Sequence, residues 1–209
     1  MKREEKNALS RQRILDAAAD AFSRSGYDGM SMNTLCAENG ISKGLLYHYF
    51  KDKDALYLLC VQRCFDAVTD YLIAAARGLS GCAEQRLRAY FDARLRFFAE
   101  NPACLGIFAG AAFSPPAGLA PEIAQLRRKF DALNISVLTE LLRSEPLRSE
   151  LSVDAVVYDF GMYMDFFNLH FKSAQSERSD AAILKEHEER CHRQLHILLY
   201  GVLDQSNEQ

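Results

Sequence analysis

Between Ser31 and Phe50 the chain reads SMNTLCAENG-I-SKGLLYHYF, two short segments that each open on a serine and are parted by Gly40. A serine side chain caps the first free N–H groups of a helix, and a glycine ends one by turning left-handed. The spacing therefore predicts two short helices joined by a tight turn, the layout of a helix-turn-helix. Upstream, Ile14, Ala18 and Phe22 recur at helical spacing in a helix expected to begin at Ser10 and end near Gly26. Leu35, Ile41, Leu46 and Phe50 can close onto those residues as a three-helix core. The opposite face of the third helix is then left to solvent: Lys43, Gly44, Leu45, Tyr47 and His48. Exposing a leucine and a tyrosine on so short a helix suits a face that meets a partner. Gly44 costs ~1 kcal/mol of helix stability relative to alanine, tolerable where a backbone must be approached closely. Lys53, at the start of a fourth helix capped by Asp52, sets a cation beside outward N–H groups, a combination that suits phosphate.

The same signals continue to the end of the chain. Helices are expected from about Gly81 to Glu100, from Pro102 to before Pro115, from Pro121 to near Pro146, from Ser152 to Lys172 and from Asp180 to Leu203. Nothing alternates apolar and polar residues as a half-buried strand would. The fold class expected is all-α, about nine helices, divided into a small head (1–53) and a larger body (54–209).

Charge agrees with that division. Residues 1–53 carry nine basic and seven acidic side chains, and since the whole chain stands at −3 the body stands at −5. A mildly cationic head on an anionic body suits a protein that offers only its head to a polyanion. The longest apolar runs are too short for a bilayer, and Met1–Lys6 leads into no apolar segment, so neither a membrane span nor a secretory signal is expected and a cytoplasmic location is. The six cysteines lack zinc-type spacing and are expected to be reduced, mostly buried thiols.

Two stretches carry a resemblance. Arg11-x-x-Ile14-Leu15-x-Ala17-Ala18-x-x-x-Phe22-x-x-x-Gly26-Tyr27 and Ser42-x-Gly44-x-Leu46-Tyr47-x-x-Phe50-x-x-Lys53 resemble the DNA-binding domain of the tetracycline-repressor (TetR) family. Cys36 departs from that pattern, where the family usually places alanine. The resemblance implies that Ser31, Tyr47 and Lys53 hold DNA phosphates, that Lys43, Gly44, Leu45 and His48 lie nearest the base edges of double-stranded DNA, and that Ser42 belongs to the same DNA-binding set. Lys2, Arg3 and Lys6 are expected as a basic arm. It further implies a homodimer built through the last two helices and a small-molecule effector, of unknown identity, enclosed by the body.

Within the body, Phe97, Phe108, Phe130, Tyr163 and Phe167 are the aromatic candidates for that ligand site, with Arg94, Asp165 and Asn168 as polar anchors. Most such side chains are ordinary core, and a buried charge is ordinarily paired within the fold. Arg94 invites an anion and Asp165 a cation, so ligand charge stays open. Cys60 and Cys64, one helical turn apart, could sense oxidants or metals by shifting their helix, though for a metal they form half a site at best. His187 and Cys191 share one face of the last helix and His192 and His196 another, so no single metal site is expected and no cofactor is implied. No G-x-S-x-G, Walker, dinucleotide-binding or H-E-x-x-H motif occurs, and no enzymatic role is expected. The reading is a regulator, most simply a repressor of palindromic operators released by its ligand. The alternative is an architectural DNA-binding protein without an effector.

Overall fold

A computed structural model describes residues 3–173 and 180–202 of the chain. Ten α-helices occur among them: α1 (Arg3–Gly29), α2 (Met32–Asn39), α3 (Lys43–Tyr49), α4 (Lys53–Ala76), α5 (Ala83–Glu100), α6 (Pro102–Phe113), α7 (Ala120–Leu126), α8 (Arg128–Arg143), α9 (Val153–Ser173) and α10 (Asp180–Val202), with a 3-10 turn at Ala117–Leu119. The all-α class is as expected. The count exceeds nine because the helix expected from Pro121 to Pro146 is two. At Arg127 the backbone flattens to ψ −8°, its N–H reaches back to the carbonyls of Ile123 and Gln125, and α8 starts afresh at Arg128.

The amino terminus also differs from expectation. Ser10 lies inside α1, because Glu4, Glu5, Lys6, Ala8 and Leu9 are good helix formers and acidic residues suit a helix N-terminus. Lys6 therefore sits on α1, whose first residue is Arg3, and Lys2 lies outside the described residues. Gly26 breaks the helical path where the sequence places the stop, at φ 66°.

Contacts gather the chain into two units. The first comprises the chain up to Asp66 together with Asn101–Arg127, and the second Ala67–Glu100 together with the chain from Arg128 onward. In the first unit Ile14, Ala18, Phe22, Leu35, Leu46 and Phe50 are buried, the three-helix core the sequence predicts. α6 lies along α1 and α7 follows it in the same unit. Cys64 on α4 and Cys104 on α6 are joined as a disulfide, so the expectation of six free thiols is corrected. The i,i+4 spacing pointed to Cys60 as the neighbour of Cys64, but Cys60 turns instead toward the Leu15 carbonyl.

In the second unit α5 packs on α8 and α10, and α8 on α9. Leu87 and Phe91, Leu138 and Leu142, Val156, and Leu195 and Leu199 supply one apolar stripe per helix to a shared core. Among the described residues no single helix is long and apolar enough to cross a membrane.

Candidate nucleic-acid interface

The segment from Ser31 to Ala55 is held by three caps. The Thr34 N–H donates to Ser31 Oγ (3.5 Å), the Leu45 N–H to Ser42 Oγ (3.2 Å) and the Ala55 N–H to Asp52 Oδ1 (2.8 Å). Each satisfies a donor that the first turn of a helix leaves open. Gly40 adopts φ 61° after α2, and its N–H closes onto the Cys36 carbonyl. Here a left-handed residue is required, so the turn can be tight enough to start α3 only three residues later.

Within α3, Leu46 is fully buried while its neighbours face outward: Leu45 is 38% and Tyr47 52% exposed. Ser42, Lys43, Gly44 and His48 are exposed with them. An alanine methyl at Gly44 would meet nothing within 4 Å. One side of α3 is thus an uncovered surface of a cation, an imidazole, a phenol and an open backbone. It offers hydrogen-bond donors and apolar edges of the kind that read base pairs.

Lys53 is more constrained than the sequence implied. Its ammonium lies 4.4 Å from the centre of the Tyr27 ring and donates to the Asp28 carbonyl at 3.4 Å. Tyr27 in turn donates its hydroxyl to Asp54 Oδ1 at 2.5 Å, and that bond, with burial, pushes its pKa up to about 12. The end of α1 and the start of α4 are therefore stitched by a lysine–tyrosine–aspartate chain that fixes where the Lys53 cation sits. Arg13 adds a second stitch, donating to the Asn39 carbonyl at the end of α2 (2.9 Å).

The residues proposed for a ligand divide between the units. Phe108 belongs to the first, against Phe65 and Phe113. Arg94, Phe97, Phe130, Tyr163 and Phe167 belong to the second. There Phe97 packs on Tyr71, and Tyr163 stacks on Phe167 with ring centres 6.1 Å apart. The side chains of Asp165 and Asn168 lie outside the described residues.

Arg94 is buried and paired with Glu188 at 2.6 Å, its guanidinium flanked by the Phe91 and Phe130 rings at 4.9 and 5.7 Å. Burial alone would raise the Glu188 pKa, but Arg94 and a hydrogen bond from His187 outweigh it and hold the carboxyl below its ordinary value. Asn134 accepts from the Tyr90 hydroxyl at 3.0 Å and closes the cluster. Sequence reading missed Glu188, although a signal was present: it stands in the α10 stripe of Leu184, Cys191, Leu195 and Leu199, an acid where only apolar residues repeat.

On α10, His187 lies 3.6 Å from the Cys191 sulfur, whereas His196 faces Glu84 on α5 (3.3 Å). The two histidine faces are separate, and no group of three or more metal-ligating side chains occurs among the described residues. An open groove of about 570 Å³ lies in the first unit, lined by Arg11, Phe50, Leu58, Leu59 and Leu126 among others; none of the six ligand candidates whose side chains are described lines it.

Comparison with known proteins finds sequence similarity in the N-terminal part of the chain and fold similarity over most of it. Residues 14–60 match the family model described as bacterial regulatory proteins, tetR family. Over 82 residues (39% of this chain) the sequence is 34% identical to the HTH-type transcriptional repressor Rv1474c of Mycobacterium tuberculosis, and the match spans 43% of that repressor's own length. Fold similarity extends much further. A TetR family transcriptional regulator from Chloroflexus aurantiacus superposes with a TM-score of 0.59 at 22% identity, covering 95% of both chains. The transcriptional regulator FadR from Bacillus subtilis, in complex with stearoyl-CoA, gives 0.61 at 15% identity, covering 86% of this chain and 96% of FadR. Residues 14–60 thus match the N-terminal domain of the tetR family of bacterial regulatory proteins, and the helical fold of the chain is similar to that of the solved regulators.

Proposed function

We propose that this chain is a dimeric DNA-binding transcription regulator of the cytoplasm, most simply a repressor, whose grip on a palindromic operator is changed by a small molecule. The observation that carries the reading is the two-sidedness of α3: Leu46 is fully buried while Leu45 and Tyr47 beside it stay exposed. In this reading residues 1–53 meet DNA. Ser31, Ser42, Tyr47 and Lys53 hold phosphates, and Lys43, Gly44, Leu45 and His48 face base edges. Residues 54–209 carry dimerisation and effector binding, and the role is regulatory, not catalytic.

Support for the dimer comes from α9 and α10. Tyr158 and Met162 follow at helical spacing on α9 and are 68% and 57% exposed, while Ile197 and Tyr200 stand out on α10 at 57% and 53%. Large apolar side chains this exposed on two helices suit a subunit interface. A dimer sets two recognition helices one DNA turn apart, about 34 Å, on an inverted repeat. Support for an effector is the aromatic second unit and the FadR fold neighbour, which carries stearoyl-CoA. Arg94 is already neutralised by Glu188, so an anionic effector at that position has to displace the acid.

The experiment is selection of bound duplexes from a random-sequence pool by the full chain. The expected result is an enriched inverted repeat, bound with steep salt dependence. Binding should fall at least tenfold on Tyr47→Ala. No enrichment over random duplex ends the reading. A metabolite panel that never changes operator affinity favours an architectural role instead.

A further inference from the structure

The function proposed above makes no use of the cysteines, yet two of them stand together in the unit that carries the helix-turn-helix. Cys64 is buried on α4 and Cys104 half-buried on α6; their Cα atoms are 5.4 Å apart, and 40 residues of chain separate them. That Cα separation lies within the range a disulfide needs without backbone movement. Each sulfur also faces the other residue's backbone carbonyl: Cys64 Sγ lies 3.1 Å from Cys104 O, and Cys104 Sγ 3.6 Å from Cys64 O.

We propose that Cys64 and Cys104 are a peroxide-reactive thiol pair, closing and opening a crosslink that sets how firmly the first unit holds its helix-turn-helix. The two thiols are not equivalent. Cys104 lies in the first turn of α6. The partial positive charge of that turn favours a thiolate, the form that attacks an oxidant. Being half-buried, Cys104 is also the one that an oxidant reaches.

Its thiolate attacks one oxygen of a hydroperoxide, breaking the O–O bond, and the departing oxygen leaves as alcohol, or as water from hydrogen peroxide. The sulfenic acid formed is then attacked by the Cys64 sulfur, which gives up its proton; the S–S bond forms and water leaves. Two thiols are oxidised and one peroxide is reduced.

The other cysteines are poor competitors. Burial pushes Cys60 up to about 12 and raises Cys191 well above its ordinary value, and Cys36 is buried. Cys82 is exposed but has no second thiol beside it.

The consequence for the helix-turn-helix follows from packing. α6 lies along α1, α1 carries α2 and α2 carries α3; at Gly106 and Ser23, α6 and α1 approach too closely for a side chain between them. Crosslinking α6 to α4 holds that assembly together and presents the α3 face on a stiffer base; a preorganised surface binds more tightly. The oxidised protein is therefore the tighter DNA binder. This last step alone rests on the proposed function.

The test uses the full chain, reduced with dithiothreitol or oxidised with hydrogen peroxide. Oxidation should yield a Cys64–Cys104 linked peptide on non-reducing digestion and an unfolding midpoint higher by roughly 5–10 °C, as closing a 40-residue loop implies. In Cys64→Ala and Cys64→Ser the reaction should stop at a dimedone-reactive sulfenic acid on Cys104, and in Cys104→Ser neither product should form. Operator affinity of the oxidised wild type should exceed that of the reduced by threefold or more, with no difference in the variants. Absence of the linked peptide overturns the thiol chemistry. A linked peptide with equal affinities in both states overturns the switch. If neither state binds DNA while the linked peptide forms, the proposed function fails and the thiol chemistry stands.

Discussion

Gly106 on α6 lies against Ser23 on α1 so closely that a single carbon added to it would sit 2.7 Å from the Ser23 carbonyl oxygen and 2.8 Å from its Cα. Both are backbone atoms, which cannot rotate away as a side chain can. The Ser23 hydroxyl also donates to the Pro102 carbonyl (3.2 Å), so the two helices are joined as well as close. Gly106→Ala should therefore destabilise the protein by about 1–3 kcal/mol despite alanine's better helix propensity. Gly44→Ala is the contrast: a methyl there meets nothing, so stability should hold or rise by up to ~1 kcal/mol while operator affinity falls. Chemical denaturation of both variants decides it; equal stability for Gly106→Ala would mean that α6 and α1 are free to separate.

Glu188 and Arg94 form a buried ion pair, and the two members are not expendable singly. Glu188→Gln keeps the shape and strands the arginine, which should cost about 3–5 kcal/mol. Replacing both, as Arg94→Met with Glu188→Leu, should recover most of that loss. The pair also sets an acid limit. Because the Glu188 carboxyl titrates below its ordinary value, its contribution is whole above the unfolded carboxylate pKa, about 4.3, and is lost as pH falls through the lower folded one. Acid unfolding of the double variant should lose this component, and an unchanged profile would show that the pair does not govern it.

Three phenols should titrate late. Tyr27, Tyr57 and Tyr90 are each pushed from 10.0 up to about 12, the first chiefly by its hydrogen bond to Asp54 and the other two chiefly by burial. Raised pKa values mean that stability is whole below 10 and is lost as pH climbs toward 12. Ultraviolet absorbance of phenolate should show these groups lagging behind the exposed tyrosines. Asp54→Asn should bring Tyr27 back toward 10 and leave Tyr57 and Tyr90 where they are. A lag of all three that survives in Asp54→Asn would refute the hydrogen-bond cause.

Tyr158→Glu with Met162→Glu should dissociate the proposed dimer without harming the fold, since both side chains already face outward. Light scattering should report the monomer mass, with unchanged helical circular dichroism. Operator affinity should drop at least tenfold, because each half-site is then bound alone. A dimer that persists would place the interface elsewhere on the chain.

Much of the first unit could be read from residues close together in the chain. Ser31, Gly40, Ser42 and Asp52 act on backbone groups only a few positions away, so their type and spacing were enough to place α2, α3 and the start of α4. The stop at Gly26 and the inward face of Leu35, Leu46 and Phe50 were legible for the same reason. The break at Arg127 carries no glycine or proline and left no mark in the sequence. The start of α1 was misplaced because Ser10, a good cap by type, sits among good helix formers that carry the helix past it.

The helix-turn-helix and its exposed face were thus legible from residue order alone, because capping, turning and helical periodicity are settled within a few residues of chain. Which distant side chains meet was set by packing: Glu188 with Arg94, Cys104 with Cys64 in place of Cys60, and Gly106 with Ser23. Those meetings depend on how helices rotate and cross as they bury their apolar stripes, and helical spacing can say which residues share a face but not which face it will be packed against.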